Sequence, residues 1–301
     1  MIEENLDGAF KKIAELVNNR IDLLLPKNEQ FTESKLIEAM RYSALSPGKR
    51  IRPFLTVAAA AIFKIDPEDS IDIATAIEFI HVYSLIHDDL PAMDDDDYRR
   101  GQPSCHKKFN EATAILAGDS LLTYAFQILS DPQTNPDPHI RCELINIISK
   151  SIGFNGMAGG QMMDLESTGD KSLTPEIIAR LHRLKTGEMF MASVEAGAII
   201  GKTQPVMRQH LVRYAHDIGL AFQIKDDILD HTGQSTQKIG IDQFEHKRTQ
   251  DETSIVNILG MTKAKEQLEL LHDQAVLHLK PFGSKANLLK QLAEFIVIRD
   301  R

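Results

Sequence analysis

Apolar residues recur along most of this 301-residue chain at the three- and four-residue spacings of helices, and alternating strand-like runs bounded by turn pairs are nearly absent. The pattern breaks at Pro47-Gly48, between Arg100 and Ser104, at DPQTNPDPH (131–139), at STGDKSLTP (167–175), at GKTQP (201–205), across 231–252 and at PFGS (281–284). Between the breaks it predicts long helices over roughly 68–90, 110–130, 175–200 and 206–231. Asp66 and Thr174 each precede a proline, the pattern of an N-cap followed by proline at the first helical position. AIEFIHVYSLIHDD and RLHRLKTGEMFMASVEAGAII are apolar around much of their circumference, as helices inside a large bundle are. Their polar residues therefore face something other than bulk water. No break has the composition of an interdomain linker and no repeat occurs at a solenoid period. The expectation is an all-α, single-domain bundle of about ten or more helices over residues 1–301.

Composition narrows the function. With 43% apolar and 26% charged residues and no tryptophan, the chain is that of a soluble globular protein. A net charge of −9 argues against nucleic acid as a partner, because a phosphate backbone is gripped by a basic face. Cys105 and Cys142 lie far apart and form no CxxC pair, which speaks against a disulfide framework or a zinc cluster. The N-terminal MIEENLDGAFKKIAEL carries early acids and no apolar core of a signal peptide, and no window reaches ~18 uninterrupted apolar residues. A cytoplasmic protein with no transmembrane segment is expected.

The acid is concentrated in two places. DDLPAMDDDD (88–97) places six aspartates in ten positions at the end of the helix that begins near Pro67. Pro91 cannot continue that helix regularly, and acid at a helix C-terminus opposes its dipole, so a cationic partner is needed. Divalent ions and the Arg99-Arg100 pair are the two available, against the plain alternative of a solvated acidic loop. An EF-hand is excluded: from Asp96 the sixth position is Gly101 as required, but positions three, five and twelve are Tyr98, Arg100 and Lys107. Carboxylates without thiolates favour a hard ion, and magnesium typically takes one or two carboxylates, waters and a substrate phosphate.

The second cluster, FQIKDDILD (222–230), lies inside an apolar helix, where Asp226 and Asp230 share a face four residues apart. Basic residues occupy matching places. GKRIRP (48–53) sets Lys49, Arg50 and Arg52 at a helix start, where exposed N–H groups also favour an anion, and Lys185-Thr186 sits in an apolar helix where a lysine needs a partner. Each feature alone has a bland reading as a solvated face or a structural ion pair. Together they describe a cavity for phosphorylated substrates. AGAIIGKT (196–203) approaches a P-loop but has Ala196 where glycine is required, and an apolar helix precedes it.

With both clusters and the basic set in view, the chain resembles the trans-isoprenyl diphosphate synthases, the bacterial farnesyl-type enzymes above all. GKRIRP, IHVYSLIHDDLPAMDDDDYRRGQPSCHKKF, EATAILAGDSLL, GMAGGQMMDLES, LHRLKTGEMF and FQIKDDILD occur in that family's order. The resemblance implies the isoprenoid synthase fold, with its helices around a central cavity, and a short-chain prenyltransferase that joins isopentenyl diphosphate to an allylic diphosphate to give farnesyl diphosphate. It implies Mg2+, with Mn2+ able to substitute, on Asp88, Asp89 and Asp94 of the first motif and Asp226 and Asp230 of the second. Asp88, Asp94, Lys185 and Asp226 then carry catalysis. Arg99, Lys185, Thr186, Gln223 and Lys238 match positions for the allylic diphosphate, and Lys49, Arg52, His81 and Arg100 those for isopentenyl diphosphate. The family commonly forms homodimers, so a homodimer is expected.

Tyr83 and Ser84 lie five and four residues before Asp88, about 7 Å back along the helix axis, and are the candidates for setting product length. The match weakens after residue 231, where Lys238, Gly240 and Asp242 are retained but the usual Lys-x-Thr-Tyr segment is altered. Two other readings remain open. His81 with His87-Asp88 could serve a metal-dependent phosphohydrolase, which leaves the second cluster and Lys185 unexplained. A non-catalytic subunit of a heteromeric synthase would usually lack one of the two motifs.

Overall fold

The computed structural model describes residues 5–25, 27, 33–167, 173–233 and 254–299. Fourteen α-helical segments dominate these residues. They are α1 (Leu6–Leu24), α2 (Ser34–Ala44), α3 (Ile51–Ile62), α4 (Pro67–Asp88), α5 (Cys105–Lys108), α6 (Glu111–Ser130) and α7 (Pro138–Ile152), then α8 (Met157–Ser167), α9 (Pro175–His182), α10 (Glu188–Ile200), α11 (Pro205–His231), α12 (Ile255–Leu259), α13 (Met261–His278) and α14 (Asn287–Ile298). The fold is all-α, as the periodicity requires.

Proline at the first helical position starts α4, α7, α9 and α11. Side-chain caps add to this: Thr174 accepts from the Ile177 N–H and Asn110 from the Thr113 N–H. Asp66 corrects the expectation, since its side chain makes no cap hydrogen bond and Pro67 alone marks the start.

α4 is buried on eight successive residues from Ile73 to Ile80, so neighbours surround it on every side. It packs against α3 and α6, and also touches α1, α2 and α10. Glu78, in the middle of that run, is 1% exposed and pairs at 2.7 Å with Arg50, which stands in left-handed conformation (φ 51) just before α3. α6 is long and apolar enough to cross a membrane by length and composition alone, but it lies against α4, α2 and α7.

The helix expected over 175–200 is interrupted. Between α9 and α10 the backbone forms a π-helical segment, Arg183–Gly187, whose extra residue per turn shifts the faces of the flanking helices. Period alone cannot reveal such a bulge. Likewise the break at 100–104 is a small antiparallel ribbon, β1 (Tyr98–Arg99) with β2 (Gln102–Pro103). Its turn residues Arg100 (φ 54) and Gly101 (φ 76) both take positive φ, which matches a right-twisted two-residue hairpin.

Candidate active site

The first acidic cluster hangs from the C-terminal end of α4. The Asp94 N–H donates to the Asp88 carbonyl at 2.9 Å and the Asp95 N–H to the Leu90 carbonyl at 3.1 Å, folding the loop back on the helix end. Burial pushes the Asp88 carboxyl up to about 7; Lys185 and Arg99 oppose the rise and Asp94 and Asp89 add to it. Asp89 is 2% exposed and rises to about 6 by burial, with Arg99 opposing. Arg99 binds Asp89 at 2.5 Å and Asp96 at 2.6 Å. One guanidinium is thus shared between two carboxylates, and Asp88 stays uncharged over part of the neutral range for want of further positive charge.

The ribbon turn sends two adjacent arginines to different places. Arg99 reaches the acid, whereas Arg100 places Nη2 3.4 Å from His81 Nε2 and Nη1 3.4 Å from Ser46 Oγ. His81 is held well below its ordinary value by burial and by Arg52, Arg100, Arg50 and Arg99. A neutral imidazole among guanidiniums marks a cationic basin. Burial also lowers Arg52 to about 10, its Nε is buried without a hydrogen-bond partner, and its guanidinium lies 5.3 Å from the Phe190 ring centre. An orphaned buried donor beside other cations fits an anionic ligand. Lys49, in the loop just before α3, extends over Phe295 at 4.9 Å.

The π segment links this region to the second cluster. Lys185 pairs with Asp164 of α8 at 2.5 Å and is near enough to Asp88 to depress it. The next residue, Thr186, donates to Gln223 Oε1 at 3.1 Å, and the amide nitrogen of Gln223 lies 3.5 Å from Asp226 Oδ2. Asp226 is raised by burial, with Arg299 opposing and Asp230 adding. Arg299 donates to Asp226 at 2.6 Å and to the Phe222 carbonyl at 3.1 Å, and stacks 4.1 Å from the Phe222 ring centre. Asp230, one turn further, is exposed. The π segment therefore carries polar side chains toward both acidic poles: the Lys185 charge acts on Asp88, and the Thr186 hydroxyl bonds Gln223, which stands beside Asp226.

The structure brings together Asp88, Asp89, Asp94 and Arg99; Arg52, His81 and Arg100; and Lys185, Thr186, Gln223 and Asp226. Lys238 lies outside the described residues. Arg50, grouped by sequence with Lys49 and Arg52, turns inward to Glu78 instead. Sequence reasoning missed Asp164 and Arg299. The first sits inside the quoted motif GMAGGQMMDLES and is the partner that Lys185 required; the second gives no local signal, because its role comes from a contact 73 residues away. The loop also gathers Asp95, Asp97 and His106 within 4.8 Å of one another, though Lys107 already pairs with Asp97 at 2.7 Å.

The donor set fits a divalent metal: hard carboxylate oxygens, raised by burial and mutual repulsion, are relieved by a cation. The phosphohydrolase reading finds no support, because His81 and His87 diverge. His81 faces Arg100, and His87 Nε2 lies 3.1 Å from the Ile115 carbonyl of α6.

Comparison with known proteins shows the family. Residues 33–278 match the polyprenyl synthetase family model. The chain is 43% identical to farnesyl diphosphate synthase of Geobacillus stearothermophilus, covering 89% of each chain, and 41% identical to that of Escherichia coli, covering 90% of this chain and 91% of the other. A solved structure of an FPP/GFPP synthase from Zymomonas mobilis superposes with a TM-score of 0.88 at 42% identity, covering 97% of this chain and 99% of that one. The chain belongs to the polyprenyl synthetase family.

Proposed function

We propose that the protein is a farnesyl diphosphate synthase that condenses isopentenyl diphosphate with dimethylallyl and then geranyl diphosphate. The single observation carrying this reading is that one π segment serves two acidic clusters, with the Lys185 charge acting on Asp88 and Thr186 bonded to Gln223 beside Asp226. Likeness to farnesyl diphosphate synthases over most of the chain supports it.

In this reading Asp88, Asp89 and Asp94 at one pole and Asp226 and Asp230 at the other hold Mg2+, for which Mn2+ can substitute. The bound ions supply charge that stabilises diphosphate as a leaving group. Lys185, Thr186, Gln223, Arg99 and Lys238 bind the same allylic diphosphate and stabilise its developing charge. Arg52, Arg100, Lys49 and the neutral His81 seat isopentenyl diphosphate, whose double bond attacks the allylic carbon; the proton lost afterwards passes to the departing diphosphate. No protein nucleophile is needed. Buried apolar side chains of α4 and α10 exclude water that would quench the cation. Tyr83 forms the floor that limits chain growth, and Ser84 lies on the Asp88 face of the same helix.

The working form is a cytoplasmic homodimer of single-domain chains. Ile115 and Leu116, 43% and 55% exposed on α6, supply apolar surface for the partner. The deciding experiment incubates purified protein with isopentenyl diphosphate, each of several allylic diphosphates and magnesium, and measures product length. A dominant fifteen-carbon diphosphate is expected. Phosphate release without chain elongation would overturn the assignment.

A further inference from the structure

His87 immediately precedes the first aspartate of the metal pole, yet its side chain turns away from that pole towards α6. Its Nε2 lies 3.1 Å from the Ile115 carbonyl and 3.9 Å from Asp119 Oδ1. A carbonyl only accepts, so Nε2 carries the proton and the ring orientation is fixed. The ring fits against Gly118. A Cβ there would sit 2.2 Å from Nε2, 2.5 Å from Cδ2 and 2.9 Å from Cε1, so any other residue displaces the imidazole.

The same ring meets Tyr83 edge-on, with centroids 5.7 Å apart and planes at 80°. Residues 83 and 87 are one turn apart on one face of α4, which packs on α6 through that region. Tyr83 precedes Asp88 by five residues on α4, about 7 Å along the helix axis from the pole at which a substrate chain is anchored. Tyr83 is thus held by an imidazole that has its own notch and its own hydrogen bond.

We propose that His87, seated in the notch at Gly118, is a positioning residue for product length that holds the Tyr83 ring across the path of the growing chain. This rests on the reading of Tyr83 as the pocket floor. The atoms nearest a Cβ at Gly118 are all in the His87 ring, so a substitution there acts through His87.

The test compares product lengths from the full-length protein and its His87→Ala, Gly118→Ala, His87→Ala/Gly118→Ala and Tyr83→Ala variants, with isopentenyl diphosphate, geranyl diphosphate and magnesium. His87→Ala is expected to raise the share of products beyond fifteen carbons roughly two- to tenfold, the range that an edge-to-face ring contact is worth. Gly118→Ala should shift products the same way. In the double variant the added methyl should change nothing further, since the ring that it displaces is gone. A merely structural role would lower rate or melting temperature and leave product length alone. Should His87→Ala fail to fold, Gly118→Ala carries the test, because alanine favours the helix. Parental product lengths from the folded single variants, with longer products from Tyr83→Ala, would overturn the role of His87. Parental lengths from Tyr83→Ala as well would overturn the floor and this inference with it.

Discussion

Arg299 and Asp226 are joined at 2.6 Å, an ion pair that ties the end of the described chain to the acidic pole on α11. The guanidinium also covers Phe222, one turn back on the same helix, and occupies Oδ1 of Asp226, an oxygen that a divalent ion would compete for. Any ion entering at Asp226 has to share or displace it. Burial raises the Asp226 carboxyl, yet its side chain keeps 37% of its exposure against 6% for Arg299, so solvent screening on the carboxylate side holds the pair to about 1 kcal/mol, equivalent to roughly fivefold in an equilibrium constant. Arg299→Ala is therefore expected to tighten manganese binding at the second pole about fivefold in calorimetric titration without substrate. Weaker binding would show that Arg299 orients Asp226 for the metal.

Proton linkage should be visible at the first pole. Asp88 and Asp89 rise from 3.8 to about 7 and about 6 in the folded protein, so between those values the folded state binds more protons than the unfolded. Metal-free stability should consequently fall as pH rises from about 4 through about 7. Added divalent ion displaces those protons, so proton release per bound ion should be larger near pH ~6 than near pH ~8, read by calorimetry in buffers of different ionisation enthalpy. Asp88→Asn should remove most of the difference. Equal release at both pH values would contradict the buried-carboxyl account.

Substrate dependences should separate the two cationic groups. The proposed assignment puts Arg52, with its unpartnered Nε beside His81 and Arg100, in the isopentenyl site; Arg52→Ala should then raise KM for isopentenyl diphosphate more than for the allylic substrate. Lys185→Ala should instead lower kcat, as should Asp88→Ala and Asp226→Ala, by at least about 10² if each loss resembles that of one preorganised donor. Initial rates with each substrate varied in turn decide the assignment.

Product length offers an independent check on α4. Tyr83→Ala should extend products beyond fifteen carbons and Ser84→Phe should stop synthesis at ten. If folded, active forms of both variants still give only the fifteen-carbon product, the floor lies elsewhere.

Glu78 is the carboxylate whose charge offsets those of Arg52 and Arg100, but its direct partner is Arg50 and its largest effect should be on stability. Its pairing with Arg50 is buried on both sides, at 1% and 2% side-chain exposure. Glu78→Ala would strand a guanidinium in the core and should destabilise the protein by about 3–5 kcal/mol in denaturant titration. A loss below about 1 kcal/mol would show that water reaches Arg50.

The helices and both acidic poles were legible because each has a local signature. Apolar spacing marks α4 and α11, and proline marks their starts. Aspartates at a helix end or four apart on one face announce a cation whatever the rest of the fold does. What stayed hidden depends on tertiary contact. Lys185 plainly needed a partner, but that this was Asp164 follows from α8 packing on the π segment. That Arg99 and Arg100 part company depends on positive φ at Arg100 and Gly101, which sequence marks only as a break. Arg50 looked interchangeable with Arg52 until its left-handed backbone turned it inward.

The crossing of α8 over the π segment has a consequence for how the site tolerates change. A Cβ at Gly160 would lie 2.3 Å from the Lys185 nitrogen and 2.7 Å from its Cα, so main chain meets main chain there. Lys185 is consequently indexed by the positions of two backbones, not by the sizes of the side chains around it. Drift among nearby apolar residues can proceed without moving the ammonium, whereas one added carbon at position 160, or one residue removed from Arg183–Gly187, would turn it away from Asp164 and Asp88. The reaction centre is in this sense insulated from most of the mutational load that its walls can carry.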